Sequence, residues 1–319
     1  MPATPHLLGS ARRFGSGRGV ILDPLQRYAA AATASSAVVI RSYSTSFGLA
    51  CRLLGPSIRP DIENIYALVR LADEVVDGAA AGAGLPVDAV SAQLDRLEGE
   101  TFAALECGYS TNLVVHAFAQ TGRKVGIGHD LVAPFFASMR RDCETSSHSS
   151  ESLGEYIYGS AEVVGLMCLQ AFLAGANPSA AELGVMTESA RRLGAAFQKV
   201  NFLRDLGQDS AELGRKYFPG VDARHLNGGQ KGELVADLRA DLDAAVPGLE
   251  ILPHSSRRAV ALAHALFSEL ADRLDACPAE VLVTTRISVP PGVKARLAAA
   301  ALLGRTPTRP ASWMPERAA

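Results

Sequence analysis

Apolar residues recur along this chain at spacings of three and four, and short polar, glycine-rich stretches interrupt them. The pattern runs through "IENIYALVRLADEVV" (62–76), "AVSAQLDRLEGETFAAL" (89–105), "SAEVVGLMCLQAFLAG" (160–175), "ESARRLGAAFQKVNFLRDL" (188–206), "ELVADLRADLDAAV" (233–246) and "RRAVALAHALFSELADRL" (257–274). That period puts the apolar side chains on one face of a helix. The stretches "GAAAGAGLP" (78–86), "GANPSAAE" (175–182) and "HLNGGQKGE" (225–233) read as turns between helices. Alternating strand patterns are scarce, the good helix formers Ala, Leu, Arg and Glu dominate, and no fixed-period repeat is evident. The pattern predicts one all-α domain over residues 22–304, with flexible tails at 1–21 and 305–319.

Two of these helices carry polar residues in an unusual place. Tyr66, Arg70, Asp73 and Asp77 are spaced 4, 3 and 4, so they share one stripe of a helix that is otherwise apolar. Gln198, Asn201, Asp205 and Asp209 are spaced 3, 4 and 4 in a second such helix, with Arg204 beside them. One D-x-x-x-D pair is ordinarily a solvated face. Two pairs, each in an apolar helix and each with an amide or arginine alongside, point instead to a shared polar cavity. Four carboxylates facing one another would repel without cations between them. Oxygen ligands without clustered His or Cys suit a hard cation such as Mg²⁺, which completes its shell with water and substrate phosphates. The stripes therefore predict a diphosphate site built between two helices.

Composition narrows the classes. The chain has 319 residues, 48% hydrophobic and 20% charged, enough for a large core. A net charge of -2 gives no sign of nucleic-acid binding. Five cysteines without C-x-x-C spacing suggest reduced thiols in a cytoplasm. No stretch reaches the roughly 18 apolar residues of a membrane span, no signal peptide is evident, and no basic amphipathic helix stands out. The "GSGRG" near the start lacks the third glycine of a dinucleotide loop, Val20 standing there instead. No E-x-x-H pair of a di-iron bundle occurs.

Taken together, "YSTSF" (43–47), "YALVRLADEVVDG" (66–78), "YIYGSAEVVGLM" (156–167), "QKVNFLRDLGQDSAELGRKYFP" (198–219) and "RISVPPGVK" (286–294) resemble, in order and spacing, the squalene/phytoene synthase family of head-to-head prenyl transferases, most of all its bacterial phytoene synthases. The resemblance implies the all-α isoprenoid-synthase bundle with a central cavity. It implies that Asp73, Asp77, Asn201, Asp205 and Asp209 bind Mg²⁺, for which Mn²⁺ would substitute. It implies that Tyr43, Ser44, Thr45, Ser46, Tyr66, Arg70, Gln198, Arg204, Arg286 and Lys294 contact the diphosphates, and that Tyr66 and Arg70 act in catalysis with the four aspartates. The implied reaction joins two prenyl diphosphates, geranylgeranyl diphosphate by preference, through a cyclopropyl diphosphate to phytoene in carotenoid biosynthesis. No nicotinamide is expected. The lipid substrates are compatible with peripheral contact at the inner face of a membrane.

Three departures qualify the match. Thr45 stands where the family often has lysine, Phe267 where it often has tyrosine, and Glu162 in a helix usually free of charge. A buried carboxylate there needs a partner or a local cap. Rival readings are a C30 synthase using farnesyl diphosphate, a non-catalytic relative acting in binding or assembly, and a chain-elongating transferase or terpene cyclase. The last two usually carry D-D-x-x-D, where this chain has "DEVVD".

Overall fold

The computed structural model describes residues 23–144, 149–208, 217–222 and 225–305. The predicted N-terminal tail, the predicted C-terminal tail beyond Arg305, and Asp209 lie outside the described residues. Every regular element among the described residues is helical. In chain order these are α1 (Pro24–Tyr43), α2 (Thr45–Cys51), α3 (Arg59–Val76), α4 (Ala79–Gly82), α5 (Val87–Cys107), α6 (Leu113–Val125), α7 (His129–Glu144) and α8 (Ser150–Ile157). A π-helical turn (Tyr158–Glu162) then leads into α9 (Val163–Phe172), α10 (Ala180–Gln208), α11 (Gly228–Ile251), α12 (His254–Ala276), α13 (Ala279–Leu282) and α14 (Pro291–Leu302).

The ends follow local chemistry. Asp23 and Gln26 form a capping box at the start of α1, and Pro24 supplies the fixed φ of a first turn. Asn227 and Gln230 do the same for α11, so that helix begins inside "HLNGGQKGE", where the sequence reads as a turn. Likewise α4 forms within "GAAAGAGLP", and α10 starts within "GANPSAAE". Ser44 ends α1 and caps α2: its backbone is extended, and its Oγ accepts from the Phe47 N–H at 3.0 Å. The "YSTSF" motif is thus a corner between two helices.

The helices gather around two large cores. One, with Leu68, Leu94, Phe118, Phe135, Phe136 and Met167, is built from α3, α5, α6, α7 and α9. The other, with Leu203, Leu238, Leu262, Leu266 and Leu274, is built from α10, α11 and α12, with α14 against it. Phe47 and Leu53 pack against both, so the α2 corner is the seam. The backbone of α10 closely approaches the π-helical turn and α9 at two glycines. A Cβ on Gly194 would lie 2.5 Å from the Ala161 carbonyl oxygen, and one on Gly165 would lie 2.5 Å from that of Ala190. Neither position has room for a side chain.

Candidate active site

The site grows from the seam. Phe47 of α2 meets Tyr66 of α3, Phe197 of α10 and Phe267 of α12, at centroid distances of 6.3, 5.6 and 5.5 Å, and Phe197 stacks on Phe267 at 3.8 Å. Both acidic stripes therefore run on from one aromatic patch, reached in the middle of α3 and well inside α10. Asp73 lies seven residues beyond Tyr66 and Asp205 eight beyond Phe197, which is about 10–12 Å along each axis. Phe267, in place of a tyrosine, adds a ring face to this patch and no hydroxyl.

On α3 the stripe is as spaced in the sequence. Arg70 lies over the Tyr43 ring, 4.3 Å from its centroid, and holds Glu74 through Nη2, with the Asp73 carboxylate 4.0 Å from Nη1. Its Nε is buried without a hydrogen-bond partner among the described residues. Glu74 also accepts from the Ala79 N–H at 2.9 Å. Asp77 ends the helix, exposed, its N–H bonded to the Asp73 carbonyl at 2.8 Å. Burial pushes the Asp73 carboxyl up to about 7 against the pull of Arg70, and the negative charges of Asp77 and Glu74 add to the rise. The side chain still keeps 38% of its surface accessible. Burial also raises the Tyr66 hydroxyl, opposed by Arg70 and by a hydrogen bond with Ser44.

On α10, Asp205 is held by three guanidinium nitrogens. Arg204 reaches it through Nε at 2.9 Å and through Nη2, and Arg286, from the segment before α14, donates Nε–H at 2.8 Å. Gln198 and Asn201 lie half-buried on the same helix, with no side-chain hydrogen bond among the described residues. Lys294, in the first turn of α14, donates to Thr45 Oγ1 at 2.8 Å. A cation thus stands at the corner where the substitution of threonine for lysine removes one. The late basic pair spans the site: Arg286 touches the second acidic motif, Lys294 the α1–α2 corner. Ser46 is half-buried on α2.

The donors fit a hard divalent cation in kind, being carboxylates and an amide oxygen, and the raised Asp73 is a place where a cation would offset the burial of the carboxylate and then the nearby charges of Asp77 and Glu74. Arginines now take up part of that charge. Among the described residues no three potential ligands converge into a metal cluster.

Sequence reasoning did not find Glu74 as the partner of Arg70, nor the group in which Tyr156 bonds Asp142 at 3.0 Å and lies 6.2 Å from Tyr217. Asp142, Tyr156 and Tyr217 lie far apart in the chain, so no spacing signals them. Glu162 has the partner its burial demands: Arg191 Nε at 2.7 Å. It lines a cavity of about 640 Å³ beside the π-helical turn, apart from the acidic stripes. The arginines of that cavity, Arg141 and Arg191, are already matched by Glu155 and Glu162.

The helical bundle is that of the squalene synthase fold. It superposes on a dehydrosqualene synthase with a TM-score of 0.70 at 22% identity, covering 88% of this chain and 99% of the other. With the squalene synthase HpnC of Alicyclobacillus acidocaldarius the TM-score is 0.66 at 20% identity, covering 78% and 96%. The family model described as squalene/phytoene synthase matches residues 40–292, and the chain belongs to that family. Among its relatives, the phytoene synthase of Mycobacterium tuberculosis (strain ATCC 25618 / H37Rv) is 29% identical over 294 residues, 86% of this chain and 91% of the relative. The 15-cis-phytoene synthase of Paracoccus sp. (strain N81106 / MBIC 01143) is 31% identical over 188 residues, 58% of this chain and 59% of the relative.

Proposed function

We propose that the protein condenses two prenyl diphosphates head to head, geranylgeranyl diphosphate by preference, to phytoene through a cyclopropyl diphosphate. The observation that carries this reading is the aromatic patch shared by the two acidic helices, with Arg70, Arg204 and Arg286 beside their carboxylates and Lys294 at the α1–α2 corner. Relatives named phytoene synthase support the choice of product.

Asp73, Asp77, Asn201, Asp205 and Asp209 are the residues that would hold Mg²⁺. Bound there, it would supply positive charge to the leaving diphosphate. The chain's own cations do the same work from fixed positions. Arg70, with its unpartnered Nε, and Arg204 would bind diphosphate oxygens, stabilising the charge that develops as the C–O bond breaks. Tyr66, Phe47 and Phe197 present ring faces to the allylic cation left behind. The apolar walls keep water from it. Loss of a proton then ends the rearrangement.

The test is purified full-length protein with Mg²⁺ and labelled farnesyl or geranylgeranyl diphosphate, with and without NADPH. The expected product is a C40 hydrocarbon from geranylgeranyl diphosphate that needs no NADPH. A C30 hydrocarbon from farnesyl diphosphate alone would move the substrate assignment, and no hydrocarbon from either would overturn the reading.

A further inference from the structure

The proposed chemistry uses Tyr66, Arg70, Asp73 and Asp77 of "YALVRLADEVVDG" and leaves Glu74 and Gly78 without a role. Arg70 and Glu74 lie one turn apart on α3, and Gly78 follows in the corner between α3 and α4. Glu74 is held at both oxygens. Its Oε1 accepts from Arg70 Nη2, and its Oε2 accepts from the N–H of Ala79, the first residue of α4, at 2.9 Å. Gly78, just before that helix, has no side chain with which to cap it. It also leaves the space in which the Glu74 carboxylate lies: a Cβ there would press on Oε2 and come within 2.8 Å of Cδ. Arg70 is thereby fixed in two directions. The Tyr43 ring, 4.3 Å away, sets the plane of the guanidinium, and the Glu74 bond sets its rotation within that plane. Nε is left without a partner among the described residues, and Nη1 stands 4.0 Å from Asp73.

We infer that Glu74 is the positioning residue for Arg70: it takes one guanidinium donor and so aims the others at the substrate diphosphate, and Gly78 is the residue that leaves it room to do so. The identity of the anion rests on the prenyl diphosphate reading. Arg70 and Glu74 keep 32% and 16% of their side-chain surface accessible, so the pair adds little as a stabilising bridge. Its effect lies in orientation, since a planar donor set binds an anion well only when its edge already faces it. Charge alone predicts the opposite behaviour. A carboxylate beside an anion site repels the anion, so removing a carboxylate that did no positioning would tighten diphosphate binding. The sign of the change therefore separates the two roles.

The experiment is calorimetric binding of inorganic diphosphate, with Mg²⁺ present, to the full-length protein. It compares wild type, Glu74→Gln, Glu74→Ala, Gly78→Ala and the double variant Glu74→Ala/Gly78→Ala. Glu74→Ala should bind roughly tenfold more weakly, the loss expected for one charge-assisted contact. Glu74→Gln, which keeps an acceptor oxygen and loses the charge, should fall between. Gly78→Ala should weaken binding much as Glu74→Ala does, because its methyl meets the end of a flexible side chain and the carboxylate yields before the backbone. In the Glu74→Ala background that methyl has no carboxylate to displace, so the double variant should bind as Glu74→Ala alone. Unchanged or tighter binding by Glu74→Ala would overturn the inference, as would a wild type that binds no diphosphate. Additive losses would overturn it too, since Gly78 would then act through the backbone at Asp77 and not through Glu74. Binding is read without turnover, so variants that follow the expected pattern in a protein that makes no hydrocarbon would count against the proposed reaction and leave the positioning of Arg70 standing.

Discussion

At Asp73 burial and neighbouring charge meet on a single carboxyl. Its raised value, about 7 against 3.8 unperturbed, has burial as its first cause. An acid whose folded value is raised holds its proton more tightly in the native state. Its favourable contribution is complete below 3.8 and is lost as pH rises through about 7. Metal-free protein should therefore lose stability across that window, and Asp73→Asn should lose less. Because the side chain is partly exposed, the difference above the window is discounted to about 1 kcal/mol, or about 2 °C in midpoint. Thermal melts of both proteins in chelator at several pH values check it, and parallel curves would show that Asp73 is solvated like any surface acid. With Mg²⁺ and substrate the same variant, and Asp205→Ala, should turn over at least a hundredfold more slowly while their far-UV circular dichroism stays helical. The stripe holding Tyr66, Arg70, Asp73 and Asp77 was legible from spacing alone, because an α-helix turns periodicity into a face. The pairing of Arg70 with Glu74 was not, since both Asp73 and Glu74 lie within its reach and rotamers decide.

Elements show the same division. The helices α3, α5, α10, α11 and α12 were legible from apolar period, and Pro290 and Pro291 separate Arg286 from the helix carrying Lys294, which starts at Pro291. The π-helical turn was not legible. It sits in a tertiary close approach that no local pattern signals: a Cβ on Gly159 would lie 2.2 Å from the Pro134 carbonyl oxygen. The approach of α10 to this turn makes a second prediction: Gly194→Ala puts a methyl against the Ala161 backbone, so the helices must part. Overpacking of this kind costs roughly 1–3 kcal/mol, more than alanine's better helix propensity returns. A urea midpoint at or above wild type would mean the contact is looser than the geometry implies. The α13–α14 segment carries the third. Lys294→Ala removes the cation at the α1–α2 corner. A charge-assisted contact is worth about 1.5–3 kcal/mol, so inhibition by inorganic diphosphate with Mg²⁺ should weaken by roughly tenfold or more. Equal inhibition constants would assign Lys294 to Thr45 and the surface alone.

Across the whole molecule, the two cores meet at α2, and one side chain does much of the joining. Phe47 packs against both cores and touches rings from α3, α10 and α12. The sequence pattern could not reveal a seam between two cores, because apolar period says which face is buried and not which helices share a core. The cysteines report on each side separately: all five are free, Cys168 packs against the first core and Cys277 against the second. Burial holds the Cys168 thiol up at about 12, so it reacts slowly in the native state. Both thiols are partly exposed, so each labels to some extent in the native state; in wild type the urea-dependent rise in their labelling should come at the same urea concentration, the mark of one cooperative unit. Phe47→Ala removes the ring that bridges the cores. The loss should be about 3 kcal/mol, near the lower end of the range for a core phenylalanine because Phe47 is only partly buried. If the ring also couples the cores, Cys168 and Cys277 should then label at separate midpoints, the less stable core opening first. Pulse labelling along a urea series, read by mass spectrometry of the two peptides, distinguishes the cases. Coincident labelling in the variant with a lowered midpoint would keep Phe47 as a packing residue and place the coupling of the two cores in the contact between α9 and α10.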